Sequence, residues 1–129
     1  MTYVVDTHAL VWFLERNSRL STAAREALSD KSAQLVIPTI VLAEVTFLYA
    51  RHRITIDLPV VFAHIDSTLN CIIYPLDEAV VEHLPTTLDI HDAIIISTAL
   101  VFRNVLGENT GVITKDTKIA ASGLVNVIW

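Results

Sequence analysis

The sequence predicts an α/β fold whose parallel sheet is covered by helices on both faces, and three observations carry that reading. Short apolar runs of strand length alternate with stretches of helical spacing along the whole chain. The 129 residues are 53% apolar and only 18% charged, enough to bury one full core. No linker, repeat or biased tract interrupts them, so a single domain over residues 1–129 is expected.

Tyr3 to Val5 is an apolar run stopped by Asp6 and Thr7, and His8 to Glu15 follows with Leu10, Trp12, Phe13 and Leu14 at helical spacing. Ser21 is placed to cap a second helix to about Ser29, with Ala24, Ala27 and Leu28 turned inward. Leu35 to Ile37 reads as a strand, and Pro38 suits the first turn of a long helix to about His52 that contains Glu44. Asp57 to Leu69 reads as helix, Cys71 to Tyr74 as a strand stopped by Pro75, and Asp77-Glu78 as the start of a short acidic helix. Asp89 can cap a helix from Ile90 to Leu106, apolar nearly all round and so buried on several sides, which Gly107 and Asn109 end. Gly111 to Thr114 and Leu124 to Ile128 complete the set as strands.

Composition narrows the function classes. Mean hydropathy is high at +0.54, yet no uncharged run approaches the ~20 residues that a membrane span needs. The N-terminus has no basic region and meets an acid at Asp6, so no signal peptide and a cytoplasmic location are expected. The lone Cys71 excludes an intrachain disulfide framework. Nine Lys and Arg against fourteen Asp and Glu give a net charge of −5, which taken alone argues against a broad basic surface for nucleic acid.

Nine of the fourteen acids sit where solvated acids normally sit; Asp6, Glu44, Asp89, Asp92 and Asp116 do not, because each lies in or against an apolar run. An unpaired carboxylate in such surroundings is costly. Asp6 and Asp116 both end predicted strands, and in an open parallel sheet the strand C-termini gather beside the crevice where ligands bind. Each acid also has a purely structural account. Asp6, Asp89 and Asp116 can be helix N-caps, Asp92 a first-turn acid favoured by the helix dipole, and Glu44 the partner of Arg51 or of a nearby base.

Taken together, Val-Val-Asp6-Thr-His-Ala-Leu-Val-Trp, Ala43-Glu44-Val45, Asp89-Ile-His-Asp92-Ala-Ile-Ile-Ile-Ser-Thr-Ala-Leu and Thr114-Lys-Asp116 resemble the PIN-domain nucleases, especially the toxin subunits of bacterial and archaeal VapBC toxin–antitoxin pairs. The resemblance runs to the closing Gly123-Leu-Val-Asn-Val-Ile-Trp129. It departs around the second acidic pair, where many members carry Pro and Arg and this chain has Ile90, His91 and Ala93; substrate preference is therefore left open.

The resemblance implies a three-layer α/β/α sandwich, a Mg²⁺ or Mn²⁺ site and hydrolysis of RNA phosphodiesters, with Asp6, Glu44, Asp92 and Asp116 as the acidic quartet. Oxygen donors suit those ions, and none of the five His shows a zinc-ligand spacing. Asp6 and Asp116 are the first choices for direct ligands, with Asp92 and Glu44 binding directly or through water and Asp89 a lesser candidate. The quartet is expected to meet in one crevice, close enough to share an ion. Thr7 and Thr114 can hydrogen-bond a carboxylate or phosphate, or serve as core and cap residues. Setting the quartet aside leaves a net charge of −1, and Lys115, Lys118, Arg16, Arg19, Arg51 and Arg53 lie near the motifs as candidates to meet RNA phosphates. His8 and His91 border the acids, while Trp12, Phe13, Phe102 and Trp129 read as core or interface. The expected partners are RNA, a small antitoxin protein and a second copy of the chain, paired through surfaces near the first and third helices.

Two other readings stay open at this stage. A phosphoryl-transfer domain of the receiver or haloacid-dehalogenase-like type also places acids at strand ends, but Asp6-Thr7-His8 offers neither an adjacent acidic pair nor an Asp-x-Asp. A non-catalytic interaction module of the same fold is opposed by the completeness of the quartet, since four mutually repelling carboxylates have no use without the chemistry.

Overall fold

A computed structural model describes all 129 residues, Met1–Trp129. Five strands, β1 (Thr2–Val5), β2 (Gln34–Pro38), β3 (Cys71–Tyr74), β4 (Thr110–Ile113) and β5 (Asn126–Ile128), form one sheet in the order β3-β2-β1-β4-β5, with every pairing parallel. Adjacent residues on a strand point to opposite faces, and Val4 with Val5, Val36 with Ile37, and Val112 with Ile113 are all essentially sealed from solvent. Both faces are therefore covered, which gives the expected helix–sheet–helix layering. No helix is long and apolar enough to cross a membrane.

The helices are α1 (Thr7–Glu15), α2 (Thr22–Ser29), α3 (Thr39–Ala50), α4 (Leu58–Asp66), α5 (Glu78–Glu82), α6 (Ile90–Leu100) and α7 (Thr117–Ser122). Ser21 caps α2 by accepting from the Ala24 amide at 3.1 Å, and Ala24, Ala27 and Leu28 are buried as their spacing requires. Four expectations need correction. Pro38 ends β2 rather than opening α3, because its ψ of 142° is extended. The helix expected through Leu106 is α-helical only to Leu100 and then widens into a π-helical turn, Val101–Val105, in which the Leu106 amide reaches back five residues to Val101. The last strand begins at Asn126, two residues late. The residues after Asp116, to which spacing assigns no element although Asp116 can cap a helix, make α7.

The strand order fixes where a site can form. From β1 the chain builds outward through β2 and β3 on one side, then returns to place β4 and β5 on the other. The topological switch point therefore lies between β1 and β4, where ligand crevices open in sheets of this kind. Val5 is in register with Ile113, and the ladder continues one bond further, from the Asp6 amide to the Ile113 carbonyl at 3.0 Å. Asp6 thus leaves the sheet at the switch point itself.

Candidate active site

Asp6 is the single residue between β1 and α1 and the N-cap of α1. Its backbone is extended, one carboxylate oxygen accepts from the Thr7 amide at 2.7 Å, and the other accepts from the buried Thr114 hydroxyl at 2.5 Å. Asp116 is the N-cap of α7, where a single oxygen, Oδ1, accepts from the amides of Lys118 at 2.7 Å and Ile119 at 3.3 Å. The Thr114 hydroxyl also accepts from the Asp116 amide at 2.9 Å, so one side chain ties the two strand-end acids together. Asp89 caps α6 through the His91 amide at 3.0 Å, and Asp92 stands in the first turn of that helix. Glu44 comes from the middle of α3, half-buried.

These five acids line one crevice of about 290 Å³ together with His8, His91, Ile95 and Lys118. Four segments far apart in sequence supply them. Ile95 is a wall residue that the sequence does not single out, whereas Lys118 is among the basic residues expected to meet RNA phosphates and does line the crevice. Ile95 could have been found, since it follows Asp92 by three positions on one helix and so shares its face. Lys118 is placed by α7, whose cap at Asp116 the sequence offers but whose extent it does not reveal. Lys115 lines an adjoining cavity of about 470 Å³ that shares Asp6, His8, Asp116 and Lys118 with the crevice, its ammonium 5.3 Å from the ring centre of Trp12. Trp12 itself is buried against His8 and Trp129. Glu44 is not the ion-pair partner of Arg51, whose guanidinium instead donates to the Phe47 carbonyl at 3.4 Å.

Electrostatic strain marks the crevice. Burial raises the pKa of Asp6, offset in part by the bonds from Thr114 and Thr7 and by His8, and opposed again by Asp116. Burial and the neighbouring Asp6 raise that of Glu44. Burial raises that of Asp92 as well, followed by the charges of Asp116, Asp6 and Asp89. Thr7 is buried, and its hydroxyl is the one sealed side-chain polar atom in the protein without a hydrogen-bond partner. It lies beside the Glu44 carboxylate, close enough to lower that group's pKa without completing a bond of good geometry. The four quartet acids reach one crevice as expected, but no three His, Cys, Asp or Glu side chains meet around one ion-sized point. Each of Asp6, Asp89 and Asp116 has an oxygen directed to its own helix.

The raised values have a sign that can be tested. A carboxyl group that holds its proton more tightly folded than unfolded stabilises the fold below its ordinary pKa, about 4, and loses that contribution as pH rises through the folded value. Without metal, Asp6, Glu44 and Asp92 therefore pull stability down as pH climbs from about 4 toward neutrality. In EDTA, an Asp92→Asn variant should gain on wild type over that climb. Urea midpoints for the two proteins at several pH values check this, and a difference that stays flat or reverses contradicts it.

Comparison with known proteins adds the family. The PIN domain family profile matches residues 3–123. The chain belongs to the PIN-domain family. That family is one of nucleases whose members are generally dependent on divalent metal. No curated protein matches the chain in sequence. Among solved structures, this PIN domain is similar to VapBC2 from Rickettsia felis, in a crystal structure bound to a DNA fragment from their promoter, with 17% identity and a TM-score of 0.64 over 98% of this chain and 97% of that one. It is similar to VapBC-1 from nontypeable Haemophilus influenzae, with 16% identity and a TM-score of 0.64 over 98% of this chain and 96% of the other. At such identities the likeness is one of fold, and it extends the PIN architecture over the whole chain.

Proposed function

We propose that this PIN domain is a Mg²⁺- or Mn²⁺-dependent endoribonuclease and the toxin subunit of a VapBC-type pair, with Asp6, Glu44, Asp92 and Asp116 as its metal-holding and catalytic residues. The observation that carries the reading is the gathering of those four carboxylates, from four separate segments, in one crevice at the switch point of a nuclease fold. The strand order also separates the chain from receiver domains, whose flavodoxin-like sheet runs 2-1-3-4-5.

The residues fit a hard divalent ion. All four donors are carboxylates, three of them hold their protons too tightly because of burial and one another, and the Thr7 hydroxyl among them has no partner. Mg²⁺ commonly takes one or two carboxylates and keeps several waters, so a shell need not draw three side chains to a point. The chemistry a bound ion supplies in such a site is charge neutralisation on the scissile phosphate and activation of water for in-line attack.

The chain's own residues do the rest. Asp6 is held on both oxygens, by the Thr7 amide and the Thr114 hydroxyl, and so presents a fixed donor. Asp116 spends Oδ1 on its helix and leaves Oδ2 for the crevice. The Lys118 ammonium on the wall offers a cation to phosphate oxygens, and His8 and His91 border the same space. Lys115 in the adjoining cavity and Asp89 on the crevice wall contribute to binding rather than to the reaction. The partner in the cell would be a small antitoxin that covers this crevice, and the family pattern points to a paired toxin.

Cleavage of a single-stranded RNA and of the same sequence as DNA, with Mg²⁺, with Mn²⁺ and in EDTA, tests the reading against Asp92→Asn. Wild type should cut RNA only with metal, and its melting temperature should rise with metal more than the variant's, because an ion bound only to the folded state stabilises by mass action. An Asp92→Asn protein that is equally metal-responsive and still cuts RNA overturns the role of Asp92.

A further inference from the structure

Beside the acidic crevice lies a second cavity of about 550 Å³, and Glu44 and His91 line both. Its far wall is different in kind. Ile40, Phe47 and Leu48 of α3 supply apolar surface, and Arg51 and Arg53 supply two guanidinium groups. The placement of the arginines follows from how α3 ends. His52 adopts a left-handed φ of 59°, its amide bonds to Tyr49 at 3.0 Å, and the Arg53 amide turns back to the Leu48 carbonyl at 2.9 Å. This is a Schellman ending, in which glycine usually fills the position of His52. It folds Arg53 back against the face that carries Leu48. Arg51 lies over the ring of Phe47 at 4.8 Å, and Phe47 is 60% exposed.

Favourable placement of cations at a helix C-terminus accounts for one part of this, the charge. It does not account for an exposed aromatic ring and apolar wall between those cations and the acidic crevice. A cavity that is apolar on one side, carries two phosphate-binding groups on the other and opens onto the reaction crevice has the chemistry of a nucleotide site.

Resting on the ribonuclease reading above, we propose that this cavity seats the nucleotide next to the scissile phosphate, with its base against Phe47 and its phosphate on Arg51 and Arg53. The volume lies within the usual range for small-molecule sites. Planar guanidinium groups match phosphate oxygens two at a time and stack on bases. In a chain of net charge −5, two of the nine Lys and Arg line this one cavity. The acidic crevice thus acquires a cationic flank on the side of α3, opposite in sequence and in element to the Lys118 flank of α7.

Steady-state cleavage of a short single-stranded RNA by wild type, Arg51→Ala/Arg53→Ala and Phe47→Ala tests this, with sedimentation of all three proteins. Both variants should raise KM, on the order of tenfold for loss of a stacked base, while kcat stays within about twofold. RNA binding by the arginine variant in EDTA should have a shallower salt dependence, by roughly one in the log–log slope for each phosphate that the protein no longer neutralises. Phe47→Leu keeps the apolar bulk and removes the ring, so it should behave as Phe47→Ala does. If wild type cuts RNA and the variants match it in KM and salt slope, the nucleotide site falls and the ribonuclease stands. Variants that change the association state of the chain and leave KM alone make the cavity an interface between copies, which also overturns the proposal. If wild type cuts no RNA with either metal, the ribonuclease reading fails and this site with it.

Discussion

An Asp6→Asn protein is expected to lose metal-dependent RNA cleavage by about 10²-fold or more, the scale on which removal of one charge-stabilising group acts in a dry site, while its metal-free fold melts near wild type. The two halves of this result have separate causes. Asn caps helices as well as Asp, so the start of α1 survives. Replacing the carboxylate removes a charge whose burial raises its pKa, a gain for the metal-free fold near neutral pH. Against that gain stands one lost acceptor, because Asn has one oxygen to serve both the Thr7 amide and the Thr114 hydroxyl. The melting temperature in EDTA should therefore move little, and the rise caused by Mg²⁺ should shrink. Full activity with an intact metal response would remove Asp6 from the site. A variant that fails to fold would show that the second carboxylate oxygen, which accepts from Thr114, is what the chain requires.

The fold was legible because its strands are short, apolar and bounded by acids, Pro or Gly, and because helical spacing between them left little choice but parallel crossovers. The five acids were harder to read singly, for a reason the structure makes plain. Asp6, Asp89 and Asp116 do cap helices, and Asp92 is a first-turn acid, as their structural accounts require. The same residues line the crevice. The two readings were never alternatives: strand C-termini at a switch point feed helix N-termini, so a carboxylate there caps a helix and faces a ligand cleft at once. Only the joint order of the acids carried the functional reading.

What the sequence hid has equally physical reasons. α7 is six residues long with Ile119 its one buried member, too short for a helical period to show. Which oxygen each capping acid gives to its helix, and so which it leaves to the crevice, is not encoded in spacing. The cavity walled by Phe47 depends on a left-handed His52, where the sequence has none of the glycine that usually announces such an ending.

The second large effect is expected at Thr114, which touches no substrate in the reading above. Its side chain is sealed from solvent, donating to Asp6 at 2.5 Å and accepting from the Asp116 amide at 2.9 Å. Valine has nearly the same shape and suits the end of a strand, so Thr114→Val removes little but the hydroxyl. Two things follow from that loss. The Asp116 amide is left without its partner at a cost of about 1–3 kcal/mol, and Asp6 loses the foremost influence that lowers its pKa. Cleavage should fall by about 10–100-fold, as it does when groups that orient metal ligands are removed. The acid limb of the pH–rate profile should move to higher pH, because Asp6 must shed its proton to hold a cation and now holds that proton more tightly. A purely structural role would lower the melting temperature without moving that limb. Thr114→Ser restores the hydroxyl and should return the limb to its wild-type position even if some stability is lost with the methyl group. A Val variant with the wild-type profile would mean that Asp6 is held by its helix alone.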